Sequence, residues 1–346
     1  MDIIDWNGQQ ITEPGIYRGI PMQSEYEEAE PFPDGTPRPP VRVSLGYHDF
    51  EICDGPSISS GIMRATEQTS MDEVWLKFPG NPDRKDEGDK EHFARGRARH
   101  TLFLGEGGFA KDYVVQPETY PAGATYPSRD GTEFKKWTYA AQWCKDWREA
   151  QRAARRSILP ADEMEDIKGA AGKLAAHPEI RDGGILNGLI EHSIFWKDPI
   201  TGLWLKARPD VIPTDGAMIV DYKGARDVSY RAIEKALDES GYHQQLALIG
   251  EGMREVAGIE IELYALVFQK WVAPWSVNVK PIAGEAIQYG AMQNRRAINR
   301  IAEALKTGIW PGPDDDGVPV NLPKYARDRL QKQHEGGLLP EPTRPS

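Results

Sequence analysis

Between residues 186 and 223 the chain breaks into short apolar runs separated by turn sequences, and long helix-forming segments bracket this stretch. Leu186 to Trp196 and Leu203 to Arg208 flank Lys197-Asp198-Pro199-Ile200-Thr201-Gly202, whose Asp, Pro and Gly mark the turn of a hairpin. After a second turn at Thr214-Asp215-Gly216 comes Ala217 to Tyr222, a third strand. Upstream, Glu133 to Ser157 lacks Pro and Gly and predicts one long helix, and Pro160 to Ala176 predicts another, with Pro160 in its first turn and Asp162 and Glu163 complementing the dipole. Downstream, Tyr230 to Val256 reads as helix interrupted near Gly241, Ile259 to Lys270 and Ser276 to Lys280 as strands, and Ala286 to Thr307 as a closing helix. Such an order places helices against a sheet.

The 346 residues suffice for one large domain or two modest ones. Residues 1 to 56 contain the Pro-rich, acidic stretch Glu25 to Pro40 and read as an N-terminal extended arm. Pro79 to Lys90 is a polar break before a helix expected over Glu91 to Leu104, and the Pro- and Gly-rich tail from Pro311 is expected to be loosely held. With only Cys53 and Cys144, neither a disulfide framework nor a four-cysteine zinc or iron–sulfur centre can form. The absence of a leader pattern and of long apolar runs leads us to expect a cytoplasmic protein with no membrane association. Forty-two Lys and Arg against 53 Asp and Glu leave a net charge of -11, so any contact with nucleic acid must come from a local basic surface. Lys145, Arg148, Arg152 and Arg155 share one helical face, a spacing that also suits a solvated surface.

The segment richest in chemistry is Arg208-Pro209-Asp210, followed eleven residues after Asp210 by Asp221-Tyr222-Lys223. Asp210 and Asp221 can end adjacent strands with their carboxylates converging, and Asp221 and Lys223 share a face because strand side chains alternate. Two carboxylates are what a hard cation such as Mg2+ requires from protein, since it keeps waters and takes further ligands from a phosphate. A lysine beside them can orient or deprotonate water, or offset charge growing on phosphorus, so a phosphodiester hydrolase is the natural reading. Glu191, His100 and Tyr242-His243-Gln244-Gln245 are the flanking polar residues.

From Ser57 to Pro311 the chain resembles the PD-(D/E)xK nucleases of the phage and prophage RecE type and, more distantly, the RecB and AddB nuclease domains and lambda-type exonuclease. The resemblance rests on Ser57-Ile58-Ser59-Ser60, Gly96-Arg97-Ala98-Arg99-His100 with Leu102 and Leu104, Leu159-Pro160 opening a helix that ends near His177-Pro178, and Glu191. It continues through Ala207-Arg208-Pro209-Asp210, Asp221-Tyr222-Lys223, Gly241-Tyr242-His243-x-Gln245 and Trp310-Pro311-Gly312. It implies an α/β fold, a restriction-endonuclease-like αβββαβ core with a central mixed sheet flanked by helices, in a nuclease domain over 57–312 followed by a loosely ordered tail, 313–346. It further implies that Asp210, Asp221 and the Tyr222 carbonyl ligate the metal, Mg2+ with Mn2+ as substitute, with His100 and Glu191 assisting. Asp221 stands where many relatives carry Glu, within the family pattern.

Catalytic roles are thereby expected for Glu191, Asp210, Asp221, Lys223 and Gln245. Tyr242, His243 and Gln244 are expected to contact substrate, and which of Gln244 and Gln245 faces inward is left open by spacing. Arg95, Arg97, Arg99, Lys206, Arg208, Arg226 and Arg231 supply positive charge near the metals. The activity implied is a Mg2+-dependent exonuclease on double-stranded DNA ends, resecting 5′ to 3′ for a RecT-like single-strand annealing protein. The resemblance also implies a ring of three or four subunits in a bacterial cytoplasm. A structure-specific or restriction-like endonuclease and a non-catalytic recombination scaffold are the alternatives. A helicase-coupled enzyme lacks its phosphate loop, since Gly172-Lys173 is followed by Leu174.

Overall fold

The structure, a computed structural model, describes residues 2–27, 41–84, 109, 113–127, 133–154, 156–213, 218–313 and 321–339. The strands in chain order are β1 (Ile3–Asp5), β2 (Gly15–Arg18), β3 (Glu25–Glu27), β4 (Val41–Ser44), β5 (Ser57–Ser59), β6 (Tyr113–Val115), β7 (Thr119–Ala122) and β8 (Glu133–Lys136). They continue with β9 (Ser157–Leu159), β10 (Gly188–Ile190), β11 (Ser193–Lys197), β12 (Trp204–Ala207), β13 (Val211–Pro213), β14 (Met218–Ala225), β15 (Leu263–Lys270) and β16 (Val277–Pro281). The helices are α1 (Ser60–Gln68), α2 (Met71–Lys77), α3 (Gln142–Ala153), α4 (Ala161–Ala175), α5 (Pro178–Arg181), α6 (Tyr230–Glu239), α7 (Tyr242–Ala257), α8 (Gly284–Thr307) and α9 (Lys324–Glu335). Residues Met1–Trp310 form one compact unit and Pro311–Ser346 another.

The central sheet is mixed, in the order β10-β13-β14-β15-β16. Its middle strands, β14 and β15, are parallel over eight residue pairs, and a parallel pair needs a crossover connection, here α6 and α7. Gly241, with φ +61, turns the chain between those helices. Leu246, Leu248, Ile249 and Met253 of α7 join Ile219, Leu266 and Phe268 of the sheet and Ala297, Ile298 and Ile301 of α8 in the main core. Helix α8 approaches α7 so closely that a Cβ at Gly290 would lie 2.5 Å from the His243 carbonyl oxygen. The opposite sheet face is covered by Leu174 of α4, which packs with Val220, Tyr222, Ala265 and Val267. Trp75 stacks on Trp310 and Phe78 lies tilted against it, so these rings belong to the core. The expected α/β fold, a mixed sheet flanked by helices, is present.

A second sheet, β1-β2-β11-β12-β5, overturns the expectation of an N-terminal arm for the described part of residues 1–56. Strand β2 pairs antiparallel with β11, and Ile11, Tyr17, Ile20, Tyr47, Ile52 and Cys53 bury themselves with Phe195 and Trp204. Burial of these apolar side chains holds the segments on either side of the Pro-rich stretch in the fold, and residues 28–40 of that stretch lie outside the described residues. The helix expected over 133–157 is shorter than its composition predicts. Residues 133–136 pair as β8 with β7 instead, because the aromatic and β-branched run through Tyr139 suits a sheet and nonlocal pairing overrides helix propensity. The tail is not uniformly loose, since it contains α9. The helix expected over 91–104 lies outside the described residues. Among the described residues no helix is long and apolar enough to cross a membrane.

Candidate active site

The four strands β10 to β13 are one long hairpin bent in its middle. Its open half, β10 with β13, lies in the central sheet and its closed half, β11 with β12, in the second sheet. At the bend Glu191 takes φ +53, and its N–H donates to the Asp210 carbonyl at 3.2 Å. Pro209 precedes Asp210 and constrains the crossing strand on the other side. The sharp change of direction aims Asp210 along the edge of β14, where its Oδ2 accepts a 2.6 Å hydrogen bond from the Tyr222 N–H.

Asp221 and Lys223 follow on alternate positions of β14 and share the face turned toward α7. The Asp221 side chain is 0% exposed, and its Oδ2 lies against the Lys223 ammonium. Neither Asp221 oxygen accepts a well-formed hydrogen bond. Burial first, and then the charge of Asp210, pushes the Asp221 acid up to about 7, against the pull of Lys223. Burial would lower the Lys223 ammonium, but Asp221 and Asp210 outweigh it and hold its pKa above the ordinary value. Lys223 also sits 5.0 Å from the centre of the Tyr242 ring.

This donor set fits a hard divalent cation. Two carboxylates converge beside one ammonium, and the Asp221 oxygens are fully buried with the Lys223 ammonium against Oδ2. Among the described residues no three His, Cys, Asp or Glu side chains gather to hold an ion by themselves. Glu191 enters through its backbone, and its charge acts on Tyr47 of the N-terminal segment. The Tyr222 side chain points to the other sheet face, where its hydroxyl donates to Gln269 Oε1 at 2.9 Å.

The α7 residues divide by helical geometry. Tyr242 and Gln245, three apart, share the Lys223 side, whereas Gln244 is buried and donates to Asn294 Oδ1 of α8 at 3.4 Å. Helical spacing therefore sets Gln245 on the Tyr242 side and Gln244 on the side packed against α8. His243 is also turned away, about 100° from Tyr242 around the helix. Its Nδ1 meets the Leu237 carbonyl at 2.9 Å and its Nε2 meets Gln293 Oε1 at 2.6 Å, so both ring nitrogens are engaged with α6 and α8.

Two basic residues expected near substrate are likewise spent on the fold. Arg208 donates to Ser193 Oγ and to the Ile20 carbonyl, each at 2.7 Å, and lies over the Tyr47 ring, fastening the N-terminal segment to the bend. Lys206 is buried and donates to the Tyr47 and Asp49 carbonyls. Arg226 and Arg231 are exposed beyond the end of β14. Arg95, Arg97, Arg99 and His100 lie outside the described residues. Arg64 of α1 was missed by sequence reasoning. Burial lowers its pKa while Tyr242 and Asp221 act against that shift, and its Nη1 donates to the Ser240 carbonyl at 2.7 Å, so it stands at the rim of the acidic pair. An arginine on an amphipathic helix carries no sequence signal of that proximity.

The profile of a family described as "PDDEXK-like domain of unknown function (DUF3799)" matches residues 123–315, more than half of the chain, and includes all three of Asp210, Asp221 and Lys223. None of the curated proteins matches the sequence. Among solved structures, one named "Putative exonuclease" from Eubacterium rectale is similar with a TM-score of 0.49 at 12% identity, covering 79% of this chain and 92% of its own. Another, SSO0001, gives a TM-score of 0.25 at 16% identity over 46% of this chain and 68% of its own.

Proposed function

The chain belongs to the PDDEXK-like domain family of unknown function (DUF3799), and from that premise we propose that it is a Mg2+-dependent exonuclease acting on the ends of double-stranded DNA. The observation that carries a hydrolytic reading is the convergence of Asp210, Asp221 and Lys223 at the hairpin bend, with the Asp221 carboxylate fully buried. Asp210 and Asp221 would hold the cation, together with the Tyr222 carbonyl that the family resemblance implies. The cation supplies a polarised phosphoryl oxygen and a more acidic water.

The protein's own groups supply the rest. Lys223, held charged by two carboxylates, has no lone pair with which to take a proton. Its role is to donate hydrogen bonds to the oxygens on which charge grows as water attacks phosphorus. Tyr242 fixes the ammonium by lying beneath it, and Gln245 extends the same face toward the scissile phosphate. The products are a 5′-phosphate and a 3′-hydroxyl. Resection from 5′ to 3′, the 3′ overhang, a RecT-like annealing partner and a ring of three or four subunits follow from the RecE-type resemblance.

Incubation with Mg2+ and linear duplex, labelled separately at its 5′ and 3′ ends, beside a covalently closed circle tests this reading. Release of 5′ label from linear DNA with the circle intact is expected. Rapid cutting of the circle would replace it with an endonuclease, and no hydrolysis of either substrate would overturn it.

A further inference from the structure

The basic face of α3 is not used by the catalytic pair, and it belongs to a small module with its own core. Trp143, Cys144 and Trp147 of α3 pack with Tyr120, Tyr126, Trp137 and Ile158, and Trp137 meets both helix tryptophans edge-on. This core holds the β7–β8 hairpin against α3. The outer surface carries a different chemistry. Phe134 is 65% exposed and Tyr139 62% exposed, while Lys135, Lys136, Lys145 and Arg152 are all exposed. The Arg148 guanidinium lies 4.8 Å from the centre of the Tyr139 ring. Between residues 133 and 156 there are seven Lys and Arg against three Asp and Glu, in a chain of net charge -11.

Phe134 and Tyr139 lie five residues apart in a segment whose exposed charges are mostly basic, and the Arg148 guanidinium already rests over one of the two rings. Cations alone would suit the phosphates of any nucleic acid. Exposed rings add a partner with free base faces, which a duplex hides in its stack and a single strand presents. The module is also rooted, through α4 on the sheet face away from Lys223, near the end of the strand that carries that lysine. Strand β9 leads through Pro160 into α4, whose Asp166 accepts from Trp275 Nε1 at 3.2 Å and whose Ala170 carbonyl accepts from Gln269 Nε2 at 2.8 Å. Trp271, in the same turn as Trp275, donates its N–H to the carbonyl of Ala225, the last residue of β14.

We propose that the β7–β8 hairpin and α3 form a single-stranded DNA surface, with Phe134 and Tyr139 stacking on unpaired bases and Lys135, Lys136, Lys145, Arg148 and Arg152 following the phosphates. The choice of DNA as the polyanion rests on the nuclease reading above. The strand it holds is the one left unpaired at a processed end.

Fluorescence anisotropy of the full chain without divalent cation tests the surface apart from hydrolysis. The probes are a labelled oligothymidylate of about 20 nucleotides and a blunt hairpin duplex. Phe134→Ser with Tyr139→Ser should weaken oligothymidylate binding about tenfold or more, the scale of one lost base stack, and leave duplex binding within about twofold. Lys145→Glu with Arg152→Glu should flatten the salt dependence of oligothymidylate binding, whereas the matched reversal Lys77→Glu with Lys306→Glu should not. All four charge positions are exposed, so these variants keep the fold, and matching thermal melts verify this. Unchanged oligothymidylate binding in the ring variant, an equal loss on duplex, or equal effects of the two reversals would overturn the proposal. End resection by wild-type protein is scored separately, so the two readings fail independently.

Discussion

The Tyr222 N–H donates to Asp210 Oδ2 at 2.6 Å, and this bond joins the bend of the long hairpin to the strand that carries Asp221 and Lys223. One Asp210 oxygen is thereby committed to the backbone, and its charge still reaches Asp221 and Lys223. The carboxylate is both a strut and a source of negative charge.

These two duties separate under substitution. Asp210→Asn keeps an acceptor for the Tyr222 N–H and should melt near wild type, whereas Asp210→Ala orphans a buried donor at a cost of about 1–3 kcal/mol. Both, like Asp221→Ala and Lys223→Ala, should lose hydrolysis on the order of a thousandfold. Single-turnover rates and thermal melts measure the split, and near wild-type turnover in Asp221→Ala would remove the site assignment.

Asp221 makes the metal-free protein sensitive to pH. Its acid, raised by burial to about 7, binds a proton in the folded state that the unfolded chain has already lost above about 4. Stability should therefore be greatest at the acidic end of that window, fall as pH rises to about 7, and change little beyond. A divalent cation must displace the same proton, so Mn2+ or Ca2+ affinity should climb with pH up to about 7 and then level off. Calorimetry in buffers of differing ionisation enthalpy should detect proton release near pH 6, and Asp221→Asn should abolish it. Proton release equal at pH 6 and pH 8 would contradict the assignment.

Neighbouring residues of α7 should respond in opposite ways. His243→Ala removes two buried contacts and should lower stability by about 1–3 kcal/mol while the folded fraction keeps its turnover. Gln245→Ala should leave the melt unchanged and lower the rate. Denaturant curves with rates normalised to folded protein distinguish the two, and a His243→Ala variant that melts normally but fails to cleave would return His243 to the substrate.

The close approach of α8 to α7 predicts that Gly290→Ala is costly although the residue is helical. Its Cβ would meet backbone that no side-chain rotation relieves, and a loss of about 1–3 kcal/mol is expected. A urea midpoint equal to wild type would show that the two helices separate freely.

The local parts of the protein were legible in its residues. Alternation placed Asp221 and Lys223 on one strand face, Gly241 marked the break between helices, and the turn at Lys197 to Gly202 marked the hairpin. These features depend on neighbours within a few positions, which sequence displays directly. What the tertiary structure alone decided was partnership. Arg208 was expected near substrate, but its donors go to Ile20, 188 residues away. Residues 133–136 have helix-forming company yet pair with Thr119–Ala122. Gln244 and Gln245 are equivalent in sequence and were separated only by Asn294 on α8. Arg64 reached the acidic pair because α1 packs beside α7. Such outcomes turn on which distant groups compete for a donor, a strand edge or a buried face, and that competition is settled by nonlocal burial and register.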